Sequence, residues 1–388
     1  MNRLRAPQES DFTSRLRSAA VTARVGLWLG VCFGICFVTG LVSHWSQLAL
    51  PPVPVPTSPS WGYRVTQGLH VITGTAAIPL LLVKLWSVYP KLFERPPRGS
   101  SRRLLVHGAE RLSIGVLVAA AIFQLATGLA NASQWYPWDF SFRSTHYAVA
   151  WVAIGALVLH VAVKLPVIRR ALLADVEDEA LDRPSLAPAS HGLSRRGLLR
   201  ATWAAVGVAV VATAGNTVTW LRDVSVLAVR SGEGPQGVPI NKSAVAARVT
   251  DLARDPAYRL TVAYGVRSVE LTRDELLALE QAAEELPIAC VEGWSASGTW
   301  TGVRVRDLLA LVGAPTDSEV EVTSLQPSGP FRVTTLPANF AADDRTLLAL
   351  GLAGEPLDID HGYPCRLIAP NRPGVLQTKW VQRLEVLT

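Results

Sequence analysis

The stretch "LPIACVEGWSASGTW" at residues 286–300 places a cysteine directly after an apolar run and directly before a turn with an acidic residue, a glycine and a tryptophan. The chain has only four cysteines, so the thiol of Cys290 needs an explanation. A disulfide with Cys365 is one explanation, because an unpaired thiol is unusual outside the cell membrane. The rest of the sequence decides whether Cys290 lies there.

The half of the chain that contains Cys290, residues 222–388, consists of short alternating apolar and polar runs. The runs "YRLTVAY" at 258–264 and "VEVTSL" at 320–325 predict half-buried strands. Arg304 and Arg306 fall at the predicted start of a helix, in "TGVRVRDLLALVG". We therefore predict a soluble, β-rich α+β domain, without a fixed-period repeat.

The N-terminal half is far more apolar. The 388 residues are 49% hydrophobic overall, which exceeds the usual content of a soluble globular protein. Apolar stretches of about 20 residues are long enough to cross a bilayer as helices. They lie at residues 25–45, 65–86, 112–130, 147–163 and 201–220. The fold class is therefore multidomain, with an all-α membrane bundle of five transmembrane helices before the β-rich domain.

Lysines and arginines in the connections predict the orientation of this bundle. They precede the first stretch and fill the connection at residues 91–111, whereas the connections at 46–63 and 131–144 hold few cations and several Trp, Tyr and Pro residues. Because Lys and Arg concentrate in cytoplasmic loops, we expect a multi-pass protein of the cell membrane with a cytoplasmic N-terminus and an external C-terminal domain. The net charge of +6 reflects this bias, and no nucleic-acid-binding motif is found.

A pair of arginines precedes the fifth stretch. "SRRGLLR" at 194–200 looks like a twin-arginine export signal, although a charged cytoplasmic anchor is the alternative. Twin-arginine export moves folded domains, so the signal would indicate that a cofactor is inserted before export. The predicted segments are a cytoplasmic tail (1–23), a four-helix membrane domain (24–170), a cytoplasmic linker (171–193), the arginine motif with the fifth helix (194–221) and the external domain (222–388).

Several histidines in the apolar half form a second group of candidate functional residues. Ionisable residues in membrane spans are candidates for function. His146 and His160 are 14 residues apart, roughly 21 Å along a helix with a net rotation of about 40°, which suits two haems stacked across a bilayer. Depth in the bilayer suggests the pairs His70 with His146 and His107 with His160, each bis-imidazole. For His107, an interfacial polar residue is the alternative.

Three segments of the C-terminal half resemble the molybdopterin-binding domain of the sulfite oxidase family. They are "CVEGWSASGTWTGVRVRDLLALVGA" at 290–314, "LGLAGEPLDIDHGYPCRLIAPNRPG" at 350–374 and "TKWVQRLEVL" at 378–387. The "CVEGWS" form is especially similar to the periplasmic sulfoxide-reductase branch. The resemblance implies that Cys290 is the catalytic residue and the molybdenum ligand. It also implies that His361, Arg366 and Lys379 bind molybdopterin and its phosphate, with Asn241 as a further candidate.

Residues 20–170 resemble membrane cytochrome b modules that exchange electrons with quinones, on the motifs "GLHVITG" at 68–74 and "THYAVAWVAIGALVLHVAVKLP" at 145–166. Together the two resemblances imply a membrane-bound molybdenum oxidoreductase. It would transfer oxygen atoms on a small substrate, sulfur-containing or otherwise, or on a protein sulfoxide, and exchange electrons with the quinone pool through b-type haem. The alternative is a non-catalytic membrane protein whose external β-rich domain binds a partner.

Overall fold

The structure is a computed structural model, which describes residues 8, 11–12, 14–49, 51–97, 100–180, 192–228 and 234–387. Parts of the predicted N-terminal tail and residues 181–191 of the predicted linker lie outside the described residues. The chain divides into two units. The first contains residues 1–40 and 70–213, and the second contains residues 41–69 and 214–388.

Long helices account for the apolar half of the chain. They are α1 (Ala19–Trp45), α2 (Gly62–Val88), α3 (Ser101–Ala132), α4 (Phe142–Leu173) and α5 (Arg195–Thr213). In the described part of the chain these five helices have the length and apolar composition to cross a membrane. The prediction of an apolar helical region ahead of a β-rich domain is therefore confirmed.

Two helix boundaries differ from the prediction. Helix α3 begins at Ser101, so His107 lies inside the helix and not just before it. Helix α5 ends at Thr213 and short 3₁₀ turns follow, whereas the apolar stretch continues to residue 220. Gly215 is in the first of these turns, and a Cβ there would lie 2.9 Å from Arg222 Cα. The chain folds back on itself at this glycine, which ends the helix despite the continuing apolar sequence.

An arginine on helix α1 caps the C-terminal end of helix α4. The Arg24 guanidinium on α1 donates to the Ala171 carbonyl at 3.1 Å and to the Ala174 carbonyl at 2.7 Å, where α4 ends. The last carbonyls of a helix have no partner within the helix and carry partial negative charge. Arg24 therefore caps α4 and ties it to α1.

The second unit contains two sheets and short helices. The first sheet has the strand order β2-β1-β10-β5-β6, and the second has the order β3-β4-β7-β8 with β9 also paired to β7. Strands β1 and β10 pair in parallel, and the other named pairs are antiparallel. The strands are β1 (Leu260–Tyr264), β2 (Arg267–Leu271), β3 (Ala282–Ala289), β4 (Ser295–Arg304), β5 (Val320–Ser324), β6 (Val333–Leu336), β7 (Leu347–Leu352), β8 (Glu355–Pro356), β9 (Arg366–Ile368) and β10 (Val381–Val386).

The short helices are α6 (Ala244–Ala247), α7 (Thr250–Arg254), α8 (Arg273–Ala278), α9 (Val305–Ala310) and α10 (Ala338–Ala341). Strands β1 and β5 confirm the two predicted strands, and Arg304 is the N-cap of α9 as its sequence suggests. Strand β7 is buried along its whole length, because both of its faces are covered. The apolar core of this unit forms on either side of that strand, as Leu348 and Leu347 belong to different clusters.

The connection between α1 and α2 belongs to the second unit by its contacts. Asn371 donates to the Pro56 carbonyl at 2.7 Å and accepts from the Tyr63 amide at 2.5 Å, while its own amide donates to the Ser60 carbonyl at 3.1 Å. Asn371 is buried in left-handed backbone with φ of 54°, a conformation that Asn tolerates better than most residues. We define residues 51–64 as the docked loop.

We predict that Asn371→Ala destabilises the protein by about 2 kcal/mol, since a buried hydrogen bond contributes about 1 kcal/mol and the two bonds of the Asn371 side chain are lost, while its backbone amide still donates to Ser60. Thermal unfolding gives the stability, and hydrogen exchange at the Tyr63 amide reports release of the docked loop. Asn339→Ala is the matched control, because Asn339 makes a single bond to the docked loop, with the Val55 carbonyl at 2.9 Å. Equal effects of the two substitutions would show that Asn371 does not anchor the loop.

Candidate functional site

Cys290 lies in a tight turn between β3 and β4. The Cys290 amide donates to the Trp294 carbonyl at 2.9 Å, and the Gly293 amide donates to the Cys290 carbonyl at 3.0 Å. Gly293 has φ of 90°, a conformation that glycine adopts without strain. The sequence after the cysteine therefore builds a turn that holds the thiol at the end of a buried strand.

The thiol of Cys290 is buried beside a carboxylate. Its Sγ lies 3.8 Å from Glu292 Oε2, which also accepts a hydrogen bond from Trp294 Nε1 at 3.1 Å. Burial, and secondly the charge of Glu292, raise the pKa of Cys290 well above its usual range. A thiolate at this position needs a positive partner such as a metal ion. Glu292 was not among the residues proposed from the sequence, although it is part of the quoted motif.

The alternative of a Cys290–Cys365 disulfide is wrong, because both cysteines are free. They belong to different apolar clusters, and the Cys365 thiol lies 3.1 Å from the hydroxyl of Tyr258. Burial raises the pKa of Cys365 to about 12, so it stays a neutral core residue.

His361, Arg366 and Lys379, which the sequence suggested as a set, converge around Gly362. Arg366 and Lys379 face each other in an isolated antiparallel bridge. A Cβ at Gly362 would lie 3.0 Å from Arg366 Cβ and 3.1 Å from Lys379 Cβ, so only glycine fits between them without movement. Its φ of 113° also requires glycine. Residues from separate sequence motifs thus form a single cluster in the structure.

The three side chains are bonded to carbonyl oxygens. Lys379 Nζ donates to the carbonyls of Lys242 at 2.6 Å and Asp360 at 2.9 Å. Arg366 donates to the carbonyls of His361 at 3.1 Å and Gln377 at 3.2 Å, and its Nε has no partner among the described residues. Within the same part of the chain neither cation forms a salt bridge with a carboxylate. Such an excess of buried positive charge suits an anionic ligand.

The pKa values of all three side chains are lowered by burial. Burial lowers the pKa of Arg366 to about 9. Burial, followed by the charge of Arg366, lowers the pKa of Lys379 to about 7 and that of His361 to about 4. The Cys290 thiolate would act in the opposite direction on Lys379, which shows that the cation cluster and the thiol are electrostatically coupled.

Asn241 lies apart from the buried cluster. Its side chain is exposed, one residue before Lys242, whose carbonyl accepts from Lys379. Arg304 forms a salt bridge with Glu280, and Arg306 forms a salt bridge with Asp344.

Arg372 is a buried arginine that sequence reasoning missed. It donates to the Thr335 carbonyl at 2.8 Å and to the Leu376 carbonyl at 3.2 Å, and burial lowers its pKa to about 9. The next residue, Pro373, is bridged to Ala289, directly before Cys290. A charged residue between an asparagine and a proline reads as a surface turn, so no local signal shows that it is buried.

In the first unit, His70 and His146 approach each other across the bundle, with ring centroids 6.4 Å apart. Two imidazoles on opposite sides of one metal ion would be separated by roughly 6 Å, from metal–nitrogen distances of about 2 Å. For His107 and His160, no ring contact between the two occurs in the described part of the chain.

Threonines fix the tautomers of both close histidines. Thr39 Oγ1 lies 3.0 Å from His70 Nδ1, and its hydroxyl proton goes to the Ile35 carbonyl at 2.7 Å. Thr127 Oγ1 lies 3.0 Å from His146 Nδ1 and likewise donates to the Phe123 carbonyl at 2.7 Å. Each threonine oxygen therefore accepts from Nδ1–H, which leaves Nε2 with a free lone pair.

Comparison with known proteins identifies the second unit. A family model described as "Oxidoreductase molybdopterin binding domain" matches residues 246–388. Human mitochondrial sulfite oxidase is 31% identical over 146 residues, which cover 35% of this chain and 25% of that protein. Residues 246–388 therefore form a molybdopterin-binding oxidoreductase domain of the sulfite oxidase type.

Two further similarities extend this comparison. A protein named putative protein-methionine-sulfoxide reductase subunit YedZ1, from Azospira oryzae, is 35% identical over 115 residues, 30% of this chain and 43% of that protein. The solved structure of the sulfane dehydrogenase SoxCD from Paracoccus pantotrophus shares 25% sequence identity with this chain. The match covers 34% of this chain and 38% of that chain, with a TM-score of 0.31. The chain spans less than half the length of each of these curated relatives.

We predict a pH dependence for the molybdopterin-binding domain from the lowered pKa of Lys379. In cofactor-free protein, folded Lys379 loses its proton near pH 7, whereas unfolded Lys379 keeps it to about pH 10. At Lys379 the unfolded state binds more protons in this window, so this residue makes the free energy of unfolding rise with pH, by at most about 1.4 kcal/mol per unit, whereas the raised pKa values of the buried Cys290 and Cys365 act in the opposite direction as the pH approaches 9. Urea unfolding from pH 7 to pH 9 measures the slope.

Lys379→Met should flatten this slope, whereas Lys242→Met should change it only slightly, because the charge of Lys242 is the smallest of the causes that shift the pKa of Lys379 and the Lys242 backbone carbonyl that accepts from Lys379 is kept. Bound anionic cofactor favours protonated Lys379 and should also flatten the slope. An identical slope in Lys379→Met and the parent would contradict the assignment.

Proposed function

We propose that the protein is a membrane-bound molybdenum oxidoreductase that transfers oxygen atoms outside the cell membrane. The observation that supports this proposal best is the buried thiol of Cys290, which is electrostatically coupled to Lys379, while Lys379 and Arg366 are buried and form no salt bridge with a carboxylate among the described residues. A pterin that carries a phosphate and holds molybdenum satisfies both the thiol and the cations. The sulfoxide reductase named among the relatives supports a sulfoxide, small or protein-bound, as the substrate.

The chain's own residues would divide the work as follows. Cys290 Sγ would hold molybdenum, while His361, Arg366 and Lys379 would hold the pterin and its phosphate. The cofactor, when bound, supplies two-electron oxygen-atom transfer. Glu292 Oε2, held by Trp294 Nε1 at 3.1 Å, can accept or return a proton next to the sulfur ligand. The burial of Cys290 excludes water from its thiol.

The histidines of the bundle support an electron path through haem. We propose that a b-type haem binds between His70 and His146, because each Nε2 is free and the ring separation fits one iron. The quinone pool of the cell membrane is the proposed electron partner, since the bundle has helices of bilayer length. A second haem on His160 was expected from the 14-residue spacing.

The twin arginines have a structural role that bears on export. Arg195 is buried and donates to the carbonyls of Val176 at 3.2 Å and Asp178 at 2.8 Å. Arg196 pairs with Asp175 at 2.9 Å, and its amide donates to Glu177 at 3.1 Å. We propose that this dipeptide directs export of the folded, cofactor-loaded domain, and that these contacts form after translocation.

We predict that Cys290→Ser abolishes substrate turnover, because the hydroxyl is a poorer ligand than the thiolate for molybdenum, while pterin stays bound through Arg366 and Lys379. Turnover, molybdenum content and pterin content of the purified protein are the measurements. Cys365→Ala is the control and should keep turnover. Full activity in Cys290→Ser would refute the proposal, and a parent protein without molybdenum would favour the binding-protein alternative.

For export, we predict that replacing Arg195 and Arg196 together with Lys leaves the C-terminal domain on the cytoplasmic side, where it is protected from protease added to spheroplasts. The substitution keeps the charge that sets topology. The control Asp175→Asn with Glu177→Gln removes the partners of Arg196 and keeps the arginines. If this control blocks export equally, the arginines act as an anchor and not as a signal.

A further inference from the structure

On three helices, a residue of the His70–His146 site has a counterpart 14 positions away in the sequence. Helix α1 has Gly40 and Gly26, helix α2 has His70 and Lys84, and helix α4 has His146 and His160. Fourteen residues correspond to about 21 Å along a helix with only about 40° of net rotation. The bundle therefore has two layers. The first layer is Gly40, His70 and His146, and the second layer is Gly26, Lys84 and His160.

Contacts confirm that the layers are built alike on α1 and α2. In the first layer, a Cβ at Gly40 would lie 3.3 Å from His70 Cε1. In the second layer, a Cβ at Gly26 would lie 2.6 Å from Lys84 Nζ. In each layer a glycine of α1 thus leaves room for the functional end of the α2 side chain.

Lys84 is a partly buried cation with a weak set of partners. Its Nζ donates to the Thr22 carbonyl at 2.9 Å, and no salt bridge with a carboxylate is found for it in the described part of the chain. By contrast, the nearby Lys164 is neutralised by Glu110. Lys84 and His160 each follow a member of the close His70–His146 pair by 14 residues on their helices, which puts them at a similar level, and the two residues interact electrostatically. Ionisable residues in membrane helices that lack a neutralising partner mark functional sites.

The register of α3 against α4 separates His107 from His160. Thr127 faces His146, and Glu110 faces Lys164, so the antiparallel helices bring residue 113 or 114 of α3 opposite His160. His107 is six or seven residues further along, about 10 Å on the helix axis. The sequence-based pair of His107 with His160 stays a prediction, but this register favours a donor from α2.

We propose that the second layer is a second haem site, in which His160 and Lys84 would hold the iron. The proposal rests on the proposed electron-transfer function. Metal ligation uses the deprotonated form of a ligand, so Lys84 binds as a neutral amine and its ammonium proton is released to solvent as the bond to iron forms. No oxidation or reduction accompanies this step. Unlike the first layer, the second layer has one imidazole and one amine, which gives it a different reduction potential.

The test uses detergent-purified full-length protein and measures haem per chain, the low-spin electron paramagnetic resonance signals of the oxidised form and a reductive titration. The parent should hold two haems with two distinct low-spin signals. Lys84→Leu should remove the low-spin signal of the second layer and leave that of the first. Lys84→His should restore a low-spin signal with a shifted midpoint potential, which shows that the variant site is folded.

His107→Ala is the matched control and should change neither signal, whereas His146→Ala should remove the signal of the first layer. The inference is overturned if Lys84→Leu keeps both signals, as expected of a lysine that only reaches towards the membrane surface. Loss of a signal in His107→Ala, or a parent with one haem that depends on His70 and His146, also overturns it. A parent with no haem would instead refute the proposed electron-transfer function.

Discussion

Buried positive charge that forms no salt bridge with a carboxylate of the described residues is the constraint on which the C-terminal domain depends. Arg366 and Lys379 meet across Gly362, and their donors are occupied only in part by carbonyl oxygens. Such an arrangement is costly unless an anion completes it. The same cluster is coupled to Cys290, so that one ligand with a phosphate at one end and a metal at the other resolves both problems. The two sheets and their core hold these groups in place.

In the helical unit, the corresponding constraint is which ring nitrogen of each histidine carries the proton. Thr39 and Thr127 each give their own proton to a carbonyl one turn earlier and accept one from a histidine Nδ1. The Nε2 of each imidazole is thereby left able to accept a metal ion, and holding the rings in advance lowers the cost of ordering them on binding. In the second layer, the α2 residue Lys84 instead donates to the Thr22 carbonyl.

The docked loop gives the C-terminal domain a connection that the order of segments along the chain does not suggest. Residues 41–69 lie between two apolar helices in the sequence, yet their contacts group them with residues 214–388. Asn371 is the main anchor, and it is followed by Arg372 and by Pro373, which pairs beside Cys290. The first residues of helix α2 therefore belong by their contacts to the same unit as residues 214–388.

The sequence by itself determined the apolar helices, the β-rich domain and the order Cys290, His361, Arg366 and Lys379, because hydrophobic length, alternation and motif order are local properties. It did not determine the end of α5, where a backbone approach at Gly215 overrides a continuing apolar stretch. Nor did it indicate the burial of Arg372 or the layer formed by Lys84 and His160. These depend on which helices and strands become neighbours, and only the tertiary structure decides how side chains far apart in sequence share one buried space.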